Sequence, residues 1–245
     1  MTIAGVTELS LGGRGPRRGY VFDSHRLALP CWAVAVGRGP AVLLTMDRHF
    51  DLVPPREVPP RGLAGDELER FAWTRLDPKN VDHVLGAMEV GVVSHVIAVA
   101  RMKPRGAVEG PDWVDSSGAR HELVRAATID ALSQDFGAPS ASDEARRAHR
   151  VLDEAHAVLL DVDLDCFTTP SDADPTAILP WPAEAIRQHV LPRGSEAFWR
   201  LVLSKCVALT VAREPLHCGG LVPMGRLFEG VGAVVFKELL ETDLP

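Results

Sequence analysis

Ala41-Val-Leu-Leu-Thr-Met-Asp-Arg-His-Phe-Asp51 decides how this chain is to be read, because an apolar run of strand character ends in Asp47, His49 and Asp51 at alternate positions. In extended chain, alternate side chains share one side. His156-Ala-Val-Leu-Leu-Asp-Val-Asp-Leu-Asp165 has the same construction and delivers Asp161, Asp163 and Asp165. Three polar residues after one strand are as compatible with a solvated loop or a helix cap as with a ligand set. Two such strand ends are different: like charges gathered within a few ångströms repel, and a bound divalent ion offsets that repulsion. The pair of segments predicts a carboxylate-rich metal centre.

Working outward, Arg18 to Phe22 reads as a strand that delivers Asp23-Ser24-His25 to a helix start, with Asp23 or Ser24 as cap. That helix carries Leu27, Leu29, Trp32, Ala33 and Val36 and stops over Gly37 to Pro40, before the strand of residues 41–46. A proline-rich loop covers 54–60, a helix Asp66 to Thr74, and a further helix, capped by Asn80 or Asp82, runs through Met88 to Gly91 and into the strand Val92 to Ala100. Residues 103–150 mix weak strand and loop signals. Beyond the strand to Asp161 come a Thr/Pro/Asp-rich loop to residue 180, helices near 183–190 and 195–205, the strand Cys206 to Ala212, and a last helix over roughly 225–240 with Leu227, Phe228, Val231, Val235 and Leu239 inward. Strands alternating with helices predict an α/β fold, a three-layer α/β/α arrangement around a mainly parallel sheet in a single domain spanning 1–245. In such sheets ligands gather at the carboxyl ends of the strands, where both acid clusters lie.

Composition narrows the function classes. A net charge of −7 disfavours a nucleic-acid surface and suits a cationic substrate. No apolar run reaches the roughly 18 to 20 residues that span a bilayer, and the start of the chain has no secretory-signal pattern, so a cytoplasmic protein without a membrane partner is expected. Cys31, Cys166, Cys206 and Cys218 stand apart without a Cys-x-x-Cys pair, which predicts reduced thiols rather than disulfides or a zinc knuckle. Carboxylate oxygens with one or two imidazoles form a hard donor set that suits Mn²⁺, with Zn²⁺, Fe²⁺ and Co²⁺ within its range. Two such ions acidify water and point to hydrolysis.

The order Asp-x-His after the first strand, then Asp-x-His-x-Asp, then an Asp-x-Asp strand end resembles the arginase and agmatinase (ureohydrolase) superfamily. The blocks Tyr20-Val-Phe-Asp-Ser-His-Arg-Leu-Ala-Leu-Pro-Cys-Trp32, Asp47-Arg-His-Phe-Asp-Leu52, Asn80-Val-Asp-His83, Asp161-Val-Asp-Leu-Asp-Cys-Phe167 and Thr210-Val-Ala-Arg-Glu-Pro-Leu-His-Cys-Gly-Gly220 are similar to the UPF0489 family, which includes peptide arginases. The resemblance implies an arginase-like fold and two Mn²⁺ ions, one held by His25, Asp47, Asp51 and Asp161, the other by Asp47, His49, Asp161 and Asp163. Asp165 adds a third acid where the arginase pattern has two, so Asp163 with Asp165, and Asp161 behind them, is the alternative ligand pair. Arg48 and Phe50 are larger than the residues usual inside the second motif, and the Gly-Gly-Asp-His signature of free-arginine enzymes is absent.

Read alone, His25 is a cap or a packed side chain; the resemblance makes it a ligand. Glu214 is either an exposed glutamate or the acid that orients a guanidinium through paired charge-assisted hydrogen bonds. His83, His95 and His217 are the candidates for delivering a proton to the leaving amine, His217 first, and Cys218 is a nucleophile only if a base activates it. The expectation is a hydrolase converting peptidyl-arginine to ornithine and urea, with Glu214, His217 and Asp163 in catalysis, an arginine-containing peptide as partner, and a homo-oligomer allowed. A metal-dependent amidohydrolase or deacylase, and a non-catalytic peptide-binding scaffold, are the alternatives.

Overall fold

A computed structural model describes residues 2–11, 16, 18–37, 39–174 and 177–241. Part of the glycine-rich start, Arg38 in the predicted helix stop, and Pro175 and Thr176 of the predicted loop lie outside the described residues. The elements in chain order are β1 (Val6–Ser10), β2 (Arg18–Phe22), a single 3₁₀ turn (His25–Leu27), α1 (Ala28–Val36), β3 (Ala41–Met46), α2 (Gly65–Thr74), α3 (His83–Val90), β4 (Val93–Val99), β5 (Asp112–Val114), β6 (Arg120–Ala126), α4 (Ile129–Ser133) and α5 (Asp143–Glu154). They continue with β7 (Val158–Asp163), β8 (Thr168–Pro170), β9 (Ile178–Pro180), α6 (Ala183–Val190), α7 (Glu196–Lys205), β10 (Cys206–Ala212), α8 (Leu221–Val231) and a π-helical extension over Gly232–Leu239.

Eight strands form one sheet in the order β1-β2-β10-β7-β3-β4-β6-β5. All neighbours from β2 to β6 pair in parallel, and β1 and β5 close the two edges antiparallel. Parallel strands covered on both faces need continuous apolar runs. β3 and β7 meet that need: Leu43, Leu44, Leu159 and Leu160 are fully buried, each worth about 1.5–3 kcal/mol of burial. Alternation then divides the core. Val42, Leu44, Met46, Leu160 and Val162 face one layer with Leu132, Leu152, Val190, Trp199 and Leu227, while Leu43, Leu159 and Phe22 face the other with Trp32, Phe71 and Met88. Helices α1 to α3 therefore cover one face and α4 to α8 the opposite one, the predicted three-layer α/β/α arrangement. No helix among the described residues is long and apolar enough to cross a membrane.

The unassigned middle of the chain contains two elements that matter. The run around His121 to Val124 widens into β6, an inner strand, and Ser142 opens α5 by accepting a hydrogen bond from the Ala145 N–H (3.1 Å). α5 buries Ala145, Ala148, Val151 and Leu152. Two of those four are alanines, so its apolar stripe carries little hydrophobic contrast. β1 was equally faint, because an edge strand with mostly exposed side chains needs no apolar alternation.

Candidate metal centre

Register builds the site. Thr45 of β3, Asp161 of β7 and Thr210 of β10 lie at one level of three adjacent strands, and Asp163 pairs with Ala212 one step nearer the carboxyl edge. Thr45 Oγ1 donates to Asp161 Oδ2 (2.8 Å) and Thr210 Oγ1 to Oδ1 (2.5 Å), while His25 Nε2 reaches Oδ2 at 2.8 Å. Both oxygens of Asp161 are thus engaged inside the sheet. Burial opposes charge on Asp161, yet the charge and hydrogen bond of His25 and the hydrogen bond of Thr210 together hold the carboxyl below the usual carboxylate range.

The bond to Asp161 places a proton on His25 Nε2 and turns Nδ1 toward the strand ends, the arrangement by which an acceptor behind a histidine orients its other nitrogen. Nδ1 lies 3.1 Å from Asp163, 3.7 Å from Asp47 and 3.9 Å from Asp51. His49 Nδ1 lies 3.5 Å from Asp165 and 3.8 Å from Asp47. The polypeptide folds onto its own acids at this edge: the His49 N–H donates to Asp47 (2.9 Å), the Asp165 N–H to Asp163 (3.0 Å), and the Arg48 N–H to Asp165 (3.3 Å). Asp47, Asp51 and Asp163 are buried, and burial first, neighbouring carboxylates second, push each well above the usual carboxyl range. Burial opposes charge on His25, yet Asp161 and Asp163 together hold the ring well above its ordinary value.

Among the described residues, three groups have donor atoms that all lie within 4.8 Å of one another: His25, Asp47 and Asp163; Asp47, His49 and Asp165; and His25, Asp51 and His83. The first two share Asp47, so one carboxylate stands between two adjoining donor sets. His25 Nδ1 and Asp165 Oδ2 are buried without a hydrogen-bond partner. Two buried atoms without a partner, an imidazole nitrogen and a carboxylate oxygen, beside further carboxylates fit a bound divalent cation, and the oxygen-rich set suits a hard ion.

No model of a known protein family matches the chain, and no curated protein does. Among solved structures, the arginase of Bacillus cereus is similar, at 14% identity over 89% of this chain and 70% of that one, with a TM-score of 0.40. The arginase of Bacillus subtilis is similar at 15% identity over 90% of this chain and 72% of that one, TM-score 0.42.

The structure brings His25, Asp47, His49, Asp51, Asp163 and Asp165 to one sheet edge and gives Asp161 different surroundings. Its carboxylate belongs to none of the three donor groups; committed to Thr45, Thr210 and His25, it stands behind the site, and the pair Asp163/Asp165 faces it.

Glu214, just past β10, is buried rather than exposed. Its Oε1 accepts from the His25 N–H (3.1 Å) and from Asn80 Nδ2, and its Oε2 sits 2.5 Å from His217 Nδ1. The hydrogen bond that His217 donates to Glu214 raises the pKa of His217; burial opposes charge on Glu214, but the His217 bond and the charge of His25 bring its pKa below the ordinary value. Asp163, Asp165, Glu214 and His217 line one open cleft of about 550 Å³.

The other candidates have different surroundings. His83 is fully buried, donates from Nδ1 to the Asn80 carbonyl (2.7 Å), and is held neutral by burial, its pKa lowered to about 3. His95 lines a different cleft and accepts from the Glu122 N–H. The Cys218 thiol is buried against the Arg213 carbonyl, and burial raises its pKa, the opposite of an activated nucleophile.

Asn80, expected only as a helix cap, emerges as a hub. At φ 61° its side-chain oxygen accepts from Ser24 Oγ and the Arg26 N–H, its amide donates to Glu214, and its carbonyl accepts from His83. Its one visible signal was asparagine's tolerance of left-handed backbone.

Proposed function

We propose that this protein is a binuclear metal hydrolase of the arginase type that attacks the guanidinium of an arginine side chain within a peptide, leaving ornithine and releasing urea. The observation that carries the reading is the sharing of Asp47 by two donor sets whose Asp163, His49 and Asp165 line an open cleft together with the buried carboxylate of Glu214. His25, Asp47, Asp51 and Asp163 would hold one ion and Asp47, His49, Asp163 and Asp165 the other, and Mn²⁺ is the ion that this hard donor set suits. When bound, such a pair supplies Lewis acidity and makes hydroxide available near neutral pH.

The chain's own groups do the rest. Glu214 grips the planar cation, whose N–H groups replace the proton of His217 as its partner. Asp163, facing the carbon under attack, stabilises positive charge on the tetrahedral species. His217, freed from Glu214 and half exposed at the cleft mouth, carries a proton to the departing amine, so that water is consumed, the carbon–nitrogen bond to the side chain breaks, and ornithine and urea result. The peptide-arginase family that the sequence blocks resemble fits this outcome. Incubating Mn²⁺-loaded protein with arginine-containing peptides should give a mass decrease equal to cyanamide together with free urea. Absence of both across a broad peptide panel, with two equivalents of metal bound, would sink the reading.

A further inference from the structure

The floor of the cleft is acidic, but its mouth changes sign. Lys79 and Lys103 are exposed there, and Arg48 joins them from inside the Asp47-Arg-His49 turn. Arg48 Nη1 donates to Thr168 Oγ1 (3.3 Å), and its Nε is buried without a partner. Lys103 is matched only by Glu109, itself 85% exposed, and Lys79 has no acidic partner among the described residues. In a chain of net charge −7, three cations converge on the entrance of a site proposed for a cationic group.

The same mouth is apolar. Of the eight large hydrophobic residues left exposed among the described residues, Met102 and Leu216 line it, Leu216 at 92% exposure, beside the partly buried Ile178. Scattered single hydrophobics need no explanation, whereas a concentration around one cleft marks a binding surface. A guanidinium passing this rim is repelled by its cations unless the groups beside it bring negative charge, and a peptide can place a further apolar side chain against Leu216 and Met102.

Resting on the peptidyl-arginine reading, we infer that the mouth selects peptides in which the target arginine is flanked by acidic residues and an aliphatic one, with Lys79, Lys103 and Arg48 meeting the carboxylates and Leu216 and Met102 the aliphatic side chain. The test uses the full chain loaded with Mn²⁺ and blocked, fluorescent peptides that share a central arginine but differ in flanks, Asp and Leu against Lys and Ser. Binding is followed by anisotropy at low and physiological salt, and urea release is followed on the same samples.

Acidic-aliphatic flanks should bind about tenfold more tightly, as two or three exposed ion pairs allow, and less so at higher salt. Lys79→Glu with Lys103→Glu should abolish or invert the charge preference, and Leu216→Ser should remove the aliphatic one. Equal binding of all flanks, an unchanged preference in the double variant, or no binding of any peptide overturns the inference. Urea from every peptide with equal efficiency would keep the arginine chemistry and remove selection by the mouth. Binding that follows flank charge without urea would keep the selection and remove the hydrolase reading.

Discussion

Two aspartates that look interchangeable in Asp161-Val-Asp163 differ in what surrounds them. Asp161 receives two threonine hydroxyls and the proton of His25, whereas Asp163 meets His25 Nδ1 and other carboxylates. Replacing a residue that orients a ligand costs roughly 10–100-fold in metal affinity, but removing a shared ligand costs a whole binding position. Asp161→Asn should therefore still hold two equivalents of Mn²⁺ at saturation, with affinity weakened about 10–100-fold. Asp163→Asn should fall below two equivalents at any concentration. Competition titration with elemental analysis reads both, and the opposite ranking would restore Asp161 as a ligand. The alternate spacing of acids made the cluster visible in the sequence. It did not say which acid turns outward, because that depends on Thr45 and Thr210 from two other strands.

The element that most constrains the cleft wall is the turn between β10 and α8. Glu214 sits at φ 39°, and both the His217 and Cys218 N–H groups return to its carbonyl (2.9 and 3.0 Å). Gly219, at φ 83°, passes so close to β9 that a Cβ would stand 3.1 Å from the Ile178 carbonyl oxygen. A left-handed conformation and a backbone collision both oppose a side chain there. Gly219→Ala is expected to lower unfolding stability by about 1–3 kcal/mol in a denaturant titration. An unchanged midpoint would mean that the turn does not pack on β9. At this scale the long apolar strands and α2, α3, α6 and α7 were legible from periodicity. The helix α5 was not, since an interface rich in alanine needs close approach rather than bulk. The final helix begins at Leu221, earlier than its stripe suggests, because its first turn leaves Leu221 and Val222 exposed.

For the molecule as a whole, the metal-free acid cluster works against the fold. Asp47, Asp51 and Asp163, their pKa values raised by burial and by one another, hold protons to higher pH in the folded chain than in the unfolded one. For such groups the stability contribution is complete below the unfolded value, near ~4 for a carboxyl, and is lost as pH rises through the raised folded values. His25, raised by Asp161 and Asp163 despite burial, has the same sign, complete below roughly 6.5 and lost as pH rises through its raised folded value. Bound cations require the deprotonated donors and reverse the loss. The gain in Tm on adding saturating Mn²⁺ should be larger at pH 8 than at pH 5.5, measured by thermal unfolding with and without chelator. A gain that shrinks with pH would contradict the proposed donor set.

The residue order alone determined that acids end two apolar strands and that strands alternate with helices, because burial on both faces demands continuous apolar runs and parallel pairing puts the carboxyl ends of the inner strands on one edge. Only the tertiary structure decided that β10 lies between β2 and β7, bringing Glu214 against His25 and Thr210 against Asp161 across 189 and 49 positions of chain. Such partners follow from strand order and register, which a local pattern does not encode, since a hydroxyl and a carboxylate recognise each other only once the sheet has placed them side by side.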